Sequence, residues 1–424
     1  MRTVLLNAGP IAHLAGDRSD SALTGVAMMD MDALVHPSGF GLVIEGGVFT
    51  HLSDSESLAV EYSNDSQTKV HDLGGRAIVP GLVDAHTHLL WAGDRSNEMR
   101  LRQSGASYQD IAEAGGGISS TVSQTRKALQ NEKGSILSEG RRRLSIALRC
   151  GTTAIEAKSG YGLDTKSELA LIEAAHTLGN NSPIEISPTW LGAHDSPPGK
   201  SREEYVEEIL SEQLPAVVEQ GLARFADVFC EDGWFTVEET ASICEAAAES
   251  GLGIRLHVDE FADSGGLLLA AELGAVTADH AVHSTDESRA SASDGGTLQG
   301  FLPGTPYVLG TDLWPPIRQS IEEDWAWTLA SDFNPNCHSL SLPFTGSIVT
   351  QRLGVDPLAA LVACTRNPAT GLPRVDGLKH GVIEVGAVAN LNVLWSEHVE
   401  GWCQTPGQTP FLATISNGIW HQHE

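Results

Sequence analysis

The sequence predicts a (β/α)8 barrel of the TIM type joined to a small β-sandwich domain built from both ends of the chain. Short apolar runs recur from Ile78 onward, and most are followed by a segment of helical character. A strand followed by a helix, repeated eight times, is typical of a parallel barrel. The length of 424 residues suits one large barrel plus a smaller domain. A hydrophobic content of 41% with 44 glycines fits a globular α/β protein.

The eight expected barrel strands are short apolar runs that end in polar residues. They are residues 78–88, 152–159, 184–192, 225–230, 254–260, 276–283, 305–311 and 326–334. Helical character lies between them at 167–178, 201–213 and 237–250. The C-terminal strand ends of such a barrel carry the active site, so the polar residues that end these runs are the candidate functional groups.

The two ends of the chain have a different texture, with short strand-like pieces separated by polar loops. Residues 41–48 contain a Gly46-Gly47 turn signal, and similar pieces lie at 381–394 and 411–420. We therefore expect residues 1–77 and 380–424 to form the two parts of one small β-domain. Residues 78–379 are expected to form the barrel.

The charge balance argues against one class of binding partner, nucleic acids. The net charge is −29, with 55 acidic residues against 26 basic ones. Nucleic-acid binding is disfavoured because phosphate affinity comes largely from Lys and Arg. A carboxylate-rich surface is instead what a halophilic protein working in concentrated salt would carry, because salt screens its self-repulsion.

The remaining composition favours a cytoplasmic protein that does not enter a membrane. No run approaches the ~18 consecutive apolar residues that a membrane span needs, and the N-terminus shows no signal-peptide pattern. The six cysteines are scattered without a Cys-x-x-Cys pair, which agrees with a reducing compartment.

The run 84–88 (DAHTH), after an apolar stretch, is the most informative feature of the chain. Alternate residues of a strand face the same side, so His86 and His88 can share one ion. Neutral imidazole is a favoured ligand of zinc and of iron. Two surface histidines near a strand end are the alternative, but the apolar strand and the nearby Asp84 favour a metal site.

The other strand ends supply enough polar groups to complete such a site. They are Lys158 and Tyr161, His194, Glu231, His257 and Glu260, Asp279 and His280, and Asp332 and Asn334. Together with His86 and His88, His257 and Asp332 can supply three nitrogens and one carboxylate to a catalytic metal. A metal-assisted hydrolase also needs a general base and a general acid, for which Glu260 and His280 are the candidates. Carbamylation of Lys158 to bridge two metals is disfavoured.

Several segments resemble the imidazolonepropionase family of the amidohydrolase superfamily, whose members open an imidazolone ring in histidine degradation. The resemblance covers most of the chain, from about residue 79 to 335, with further similarity toward the C-terminus. The segments that carry it are 93–98 (GDRSNE), 114–118 (AGGGI), 158–163 (KSGYGL), 191–194 (LGAH) and 331–335 (SDFNP). The chain departs from the family pattern at 336–337, where many members have Gly followed by Ser or Thr, and at 389–391, where Ala-Asn-Leu replaces Ala-Asp-Leu.

The resemblance implies an amidohydrolase-type barrel with one Zn²⁺ or Fe²⁺/Fe³⁺ ion per chain and a homodimer. The implied metal ligands are His86, His88, His257 and Asp332. The implied substrate contacts come from Arg95, Tyr161, His194, Glu260, Asn334, Asn336 and Cys337. The implied substrate is a small molecule with a carboxylate tail, 4-imidazolone-5-propanoate, which is hydrolysed to N-formimidoyl-L-glutamate.

Two other functions are compatible with parts of the pattern. A related amidohydrolase that deaminates a nucleobase would share the metal ligands, and an acidic metal-storage or scaffold protein would share the charge. Arg95 and Tyr161 favour hydrolysis of the imidazolone substrate over both of these, because a propanoate tail needs a cation and a nucleobase does not. A storage protein would turn over nothing.

Overall fold

Strands from the two ends of the chain flank eight central parallel strands in the computed structural model, which describes residues 2–62, 65–106, 110–111, 114–131 and 133–423. The strands in chain order are β1 (Arg2–Leu6), β2 (Ile11–Ala12), β3 (Val35–His36), β4 (Phe40–Glu45), β5 (Val48–Asp54), β6 (Thr68–Asp72), β7 (Ile78–Pro80), β8 (Leu82–Asp84), β9 (Thr152–Lys158), β10 (Glu185–Ala193), β11 (Phe225–Cys230), β12 (Gly253–Val258), β13 (Thr277–His280), β14 (Leu298–Phe301), β15 (Trp327–Leu329), β16 (Leu391–Leu394), β17 (Phe411–Ser416) and β18 (Ile419–Gln422).

Helices connect and cover these strands. The described α-helices are Met31–Leu34, Ser55–Tyr62, Glu98–Gln103, Gly117–Asn131, Lys133–Arg149, Thr165–Gly179, Arg202–Glu208, Leu214–Gln220, Val237–Glu249, Gly266–Glu272, Asp286–Asp294, Gly304–Leu309, Ile317–Glu322, Leu342–Ser347, Pro357–Ala363 and Arg366–Gly371. Short 3₁₀ turns lie at Gly25–Met29 and Val399–Cys403, and π turns at Ile209–Gln213 and Ile348–Arg352. Within the described ranges, no helix has both the length and the apolarity that a membrane crossing requires.

The central sheet is a parallel barrel that runs in sequence order from β8 to β15, which confirms the predicted fold class. Its two edge strands approach each other just beyond their C-terminal ends. There Thr87 forms a parallel bridge with Phe333, and the His88 amide donates to the Phe333 carbonyl over 2.8 Å. The segment that carries His86 and His88 therefore takes part in closing the barrel.

The small β-domain consists of two sheets with strands from both ends of the chain. One sheet has the order β5-β4-β1-β6, and the other has the order β18-β17-β16-β7-β2-β3. Leu42 and Phe49 of the first sheet belong to the same buried cluster as Ile78 and Leu391 of the second. This shared core agrees with the sandwich that the sequence predicts.

The first expected barrel strand, 78–88, is divided between the two parts of the fold. β7 pairs with β16 in the small domain, whereas β8 pairs with β9 in the barrel. Gly81 lies between them, where a Cβ atom would come within 2.3 Å of Thr153 Oγ1. A glycine is needed at this crossing because the backbone passes too close to its neighbour for a side chain.

The prediction of the seventh barrel strand at 305–311 was wrong. The strand is β14, a short buried segment that precedes that range, and Gly304–Leu309 is a helix. Pro306 lies in the first turn of this helix, where its missing N–H is tolerated, and Gly310 ends the helix at φ 71°. The range resembles the other short apolar runs of the chain, but its Pro and Gly positions suit a short helix better.

The three helical predictions are confirmed with small shifts of their ends. Residues 167–178 lie in Thr165–Gly179, and 237–250 in Val237–Glu249. Residues 201–213 form Arg202–Glu208 and the π turn that follows it. Thr236 caps the helix Val237–Glu249 through a capping box with Glu239, a local signal that can be read from the sequence alone.

Candidate metal centre and active-site cavity

The four predicted metal ligands come together at the C-terminal end of the barrel. His86 and His88 follow β8, His257 lies near the end of β12, and Asp332 follows β15. Ligand atoms of His86, His88 and His257 lie within 4.8 Å of one another, and a second such group joins His86 and Asp332 with His280. The structure thus assembles the predicted set from three separated parts of the chain.

The separations between these ligand atoms fit a single metal ion. Nε2 of His88 lies 3.4 Å from Nε2 of His257 and 3.8 Å from Oδ1 of Asp332. Oδ1 of Asp332 also lies 3.6 Å from Nε2 of His86. Two atoms that each lie about 2.1 Å from a tetrahedral zinc are about 3.4 Å apart. In addition, the buried Nε2 of His86 has no hydrogen-bond partner among the described residues, so it is available to an ion.

The outer nitrogens of two ligand histidines are held by carboxylates behind them. Nδ1 of His86 lies 2.6 Å from Oδ2 of Asp279, and Nδ1 of His257 lies 2.9 Å from Oδ1 of Asp227. A carboxylate at Nδ1 accepts a hydrogen bond there and leaves the lone pair on Nε2, which faces the cluster. This is the usual outer support of a metal-binding histidine, and it fixes both the tautomer and the ring orientation.

A buried ion-pair network lies beneath these carboxylates. The Lys158 ammonium donates to Glu156 over 2.9 Å and to Asp227 over 2.5 Å, and it lies 3.9 Å from Asp279. Arg255 lies 3.5 Å from Glu156 on the other side. Lys158 is therefore occupied as the counter-ion of the carboxylates that support the ligands, which agrees with the view that it does not bridge two metals.

Burial sets the charge states in this cluster. It lowers the pKa of His86, His88 and His280 well below the ordinary value, so these rings are neutral, the form that binds metals. Burial alone would lower the pKa of Lys158, but the charges of Asp227, Glu156 and Asp279 outweigh it and raise that pKa. Burial alone would raise the pKa of Asp227, but His257 and Lys158 bring it below the ordinary range.

The two candidates for proton transfer face each other beside the ligand cluster. Oε2 of Glu260 lies 3.6 Å from Nε2 of His280, and both side chains are largely buried. Burial, together with the charges of Asp332 and Glu231, raises the pKa of Glu260 well above its ordinary value. Glu231, another polar strand end, accepts the Glu260 amide over 2.6 Å and the Ala262 amide over 3.0 Å. It therefore holds the loop that carries Glu260.

One cavity adjoins the ligand cluster and contains most of the predicted substrate contacts. Its lining residues are His88, Arg95, Ile118, Tyr161, His194, Phe229, His257, Glu260, Phe261, His280, Thr305, Leu309, Asp332, Asn334 and Asn336. Charged and hydrogen-bonding groups share the wall with apolar side chains, as in other small-molecule sites.

Arg95 reaches this cavity from the segment that follows His86 and His88. Its guanidinium is buried and donates from Nε to both carboxylate oxygens of Glu98 and from Nη2 to Oε2, over 2.8–3.0 Å. Glu98 in turn accepts the Gly117 amide over 2.9 Å. Arg95 therefore occupies a fixed position in the wall of the cavity, where it pairs with the buried carboxylate of Glu98.

Tyr161 and His194 lie on the loops after β9 and β10. The His194 ring stacks on His88 with ring centres 4.9 Å apart, and Tyr161 packs edge-on against His194 at 5.2 Å. Nδ1 of His194 lies 2.9 Å from the carbonyl oxygen of Gly160. Burial lowers the pKa of His194 to about 3, so this ring is also neutral.

The segment after Asp332 contributes fewer side-chain groups to the cavity wall than the sequence predicts. The Asn334 side chain lines the cavity, but it donates to the Asp332 carbonyl and accepts from the Asn336 and Cys337 amides. Asn336 also lines the cavity, and its buried Oδ1 has no hydrogen-bond partner within the described ranges. The structure does not bring Cys337 to the cavity wall: its buried thiol lies 3.7 Å from the Ser331 carbonyl.

Sequence reasoning missed the groups that support the site from behind. Asp227, Glu156 and Arg255 lie inside barrel strands and were treated as part of apolar runs. A charged residue in the middle of a buried strand was the available signal, because such a residue must find a buried partner. Thr305, whose hydroxyl donates to Oδ2 of Asp332, was placed on the strand that proved to be a helix.

Curated relatives that match the chain over most of its length carry one name. An imidazolonepropionase of Symbiobacterium thermophilum is 40% identical over 395 residues, covering 92% of this chain and 90% of the relative. An imidazolonepropionase of Haloarcula marismortui is 38% identical over 376 residues, with 89% and 88% covered. A probable imidazolonepropionase of Nematostella vectensis is 35% identical over 408 residues, with 94% of each covered. No family model matches the chain.

Solved structures share the fold at low sequence identity. Guanine deaminase of E. coli superposes with a TM-score of 0.69 at 14% identity, covering 100% of both chains. A zinc-bound adenosine deaminase of Xanthomonas campestris superposes with a TM-score of 0.64 at 15% identity, covering 99% of this chain and 92% of the other. At such identities the likeness establishes the fold, which is that of amidohydrolases.

Proposed function

The chain belongs to the imidazolonepropionase family, and on that premise we propose that it hydrolyses 4-imidazolone-5-propanoate to N-formimidoyl-L-glutamate. Water adds to the ring carbonyl carbon, the ring C–N bond at that carbon breaks, and the released nitrogen takes up a proton. The former carbonyl becomes a carboxylate, and the ring opens to the formimidoyl group. The protein is accordingly a hydrolase acting on a cyclic C–N bond.

The observation that carries this proposal is a buried arginine in the same cavity as the ligand cluster. Arg95 and the cluster of His88, His257 and Asp332 line one cavity. A guanidinium binds a carboxylate through paired, charge-assisted hydrogen bonds, so it suits the propanoate tail. Tyr161 and His194 line the same cavity beside His88, and we propose that they contact the ring.

We propose that His86, His88, His257 and Asp332 hold one zinc or iron ion. When bound, such an ion polarises a carbonyl and activates water at neutral pH. The chain's contribution is to keep the rings neutral and oriented, through Asp279 behind His86 and Asp227 behind His257.

Glu260 and His280 are the proposed proton-transfer pair. Glu260 stands at the cavity, and its raised pKa suits a group that accepts a proton and later releases it. His280 lies 3.6 Å away, and its neutral ring can accept a hydrogen bond from the protonated acid. Arg95, Tyr161, His194, Asn334 and Asn336 are the proposed substrate contacts, and they would hold the ring carbonyl near this pair.

A direct assay tests the function against deamination of a nucleobase. The metal-loaded protein is incubated with freshly prepared 4-imidazolone-5-propanoate and, in parallel, with cytosine and guanine. We expect loss of the imidazolone absorbance and formation of N-formimidoyl-L-glutamate by mass spectrometry, without ammonia from either base. Ammonia release from a base, with the imidazolone untouched, would overturn the proposal.

The family resemblance also leads us to propose a cytoplasmic homodimer. Sedimentation analysis of the metal-loaded protein tests the dimer: a species of twice the 45.0 kDa chain mass is expected, and a monomer at micromolar concentration would contradict it.

A further inference from the structure

The loop at residues 160–163 joins β9 to the next helix and is held by one buried carboxylate. Glu168 lies in the first turn of the helix Thr165–Gly179 and is fully buried. Its Oε2 accepts the Gly160 amide over 2.9 Å, and its Oε1 accepts the amides of Gly162 and Leu163 over 2.6 and 2.8 Å. Three N–H groups of a four-residue loop therefore converge on one side chain.

The carbonyl groups of the same loop are held by a cation. Arg126 donates from Nε to the Gly162 carbonyl over 2.5 Å and from Nη2 to the Leu163 carbonyl over 2.7 Å. Its guanidinium also lies 2.9 Å from Oδ2 of Asp164. The loop is thus clamped between an anion and a cation, neither of which lines the cavity.

The backbone of the loop needs such support. Gly160 has φ 91°, and Leu163, which carries a side chain, has φ 51°. A left-handed conformation is unfavourable for a bulky side chain such as that of leucine unless the surroundings stabilise it. A Cβ atom on Gly160 would lie 2.9 Å from Nδ1 of His194, so the loop also approaches the cavity wall closely.

The clamped loop carries or contacts two of the proposed substrate contacts. Tyr161 is part of the loop and lines the cavity. The Gly160 carbonyl accepts from Nδ1 of His194, which fixes the tautomer of that ring and directs Nε2 away from the loop. A shift of the loop would therefore move both side chains at once, whereas the metal-ligand cluster is supported by other residues.

We propose that Glu168 is a positioning residue for substrate binding, which with Arg126 fixes the loop so that Tyr161 and His194 face the substrate. The inference rests on the proposed function, because it assigns these two side chains to the imidazolone substrate. Glu168 lines neither the substrate cavity nor the proposed metal site. Its loss should therefore weaken substrate binding more than it slows the chemical step.

The test is Glu168→Gln in the metal-loaded protein. The amide keeps the volume but replaces one accepting oxygen with a donor that faces a backbone N–H. Charge-assisted hydrogen bonds are strong, so we expect KM to rise roughly tenfold or more while kcat changes by no more than about threefold. The Kd of the product N-formimidoyl-L-glutamate, measured by calorimetry, should weaken by a similar factor. Metal content should stay at the wild-type value.

Leu171→Ala is the matched control. Leu171 is buried in the same helix, one turn beyond Glu168, and its truncation lowers stability while removing none of the loop's hydrogen bonds. We expect a lower thermal midpoint with unchanged KM. Arg126→Met is the second variant, which tests the clamp even where Glu168→Gln does not fold. It releases only two carbonyls, so KM should rise less but in the same direction.

The outcomes separate the inference from the proposed function. A wild-type protein that leaves the imidazolone intact overturns the function itself. A wild type that turns it over, with KM unchanged in both clamp variants or raised equally in Leu171→Ala, overturns the role of Glu168. Raised KM and product Kd in the clamp variants alone support it.

Discussion

The carboxylate of Asp279 lies directly behind the imidazole of His86, with its Oδ2 2.6 Å from Nδ1 of the ring. The pair joins β13 to the segment after β8, two parts of the barrel that are far apart in sequence. Asp227 holds His257 in the same way, over 2.9 Å. Lys158 lies between the two carboxylates, so the orientation of both rings depends on one buried ion-pair network.

Asp279→Asn tests this outer support. The amide can donate as well as accept, so it no longer fixes the proton on Nδ1 of His86. Loss of such a partner typically weakens metal affinity 10- to 100-fold, and we expect a change in that range. Competition with a chromogenic chelator measures it independently of turnover. Asp294→Asn, at the exposed end of a helix, is the control and should leave the affinity unchanged. Equal affinities in all three proteins would contradict the role of Asp279.

His88→Ala tests the ligand set and the number of ions. The variant loses one nitrogen of the cluster but keeps the backbone amide that donates to Phe333 across the barrel closure. We therefore expect a folded barrel by circular dichroism, less than about a tenth of the wild-type metal, and no detectable turnover. Elemental analysis of the wild type should give one metal per chain. A value of zero or two would contradict the proposed site.

The strand-ending residues could be predicted from sequence because each ligand follows an apolar run. His86, His88 and His257 each stand next to such a run, and the geometry of a parallel barrel brings strand ends together. The seventh strand could not be located in this way. The buried segment Leu298–Phe301 has only four residues and includes a glutamine and a glycine, so its apolar character is weak.

The support behind the ligands was harder to predict, because it depends on pairs that are distant in sequence. Asp227 gives no sign in the sequence of which histidine it holds, and Lys158 gives no sign of its three carboxylate neighbours. Such partners are fixed only by strand order and register: β11 and β12 are neighbours, with Phe229 opposite His257. The fold must be known before the network can be drawn.

Glu260→Gln tests the proton-transfer assignment. The amide keeps the shape of the side chain and its backbone contact with Glu231 but cannot accept a proton. General acid–base catalysis contributes typically 10²- to 10⁴-fold, so kcat should fall by roughly that factor with metal content unchanged. Glu272→Gln, at an exposed helix end, serves as the control. A near-normal kcat in the metal-loaded variant would transfer the role to another group.

Salt dependence tests the meaning of the net charge of −29. The Debye length falls from about 10 Å at 0.1 M salt to about 3 Å at 1 M, so repulsion between surface carboxylates should weaken strongly over this range. We expect both the thermal midpoint and the activity to rise steeply between dilute buffer and molar KCl. A midpoint that stays flat would show that the acidic surface has another purpose.

Substitutions of Arg95 test how the protein recognises the carboxylate of its substrate. Its guanidinium is held by Glu98 from inside the wall of the cavity, so it is presented to the substrate in a fixed orientation. Arg95→Met should raise KM strongly for the propanoate substrate, because the carboxylate would then be desolvated without a cation. Arg95→Lys should restore binding only in part, since an ammonium lacks the planar fork that matches a carboxylate.

The uncharged amide of the same substrate separates charge recognition from loop structure. If Arg95 binds the propanoate, Arg95→Met raises the KM of the acid much more than the KM of the amide. The preference of the wild type for the acid over the amide is then lost. Glu98→Gln provides the structural comparison, because it disturbs the Arg95 and Gly117 contacts but leaves the cation in place. Equal losses for acid and amide in Arg95→Met would mean that Arg95 supports the cavity wall, as Glu98 does, and does not recognise the charge of the substrate.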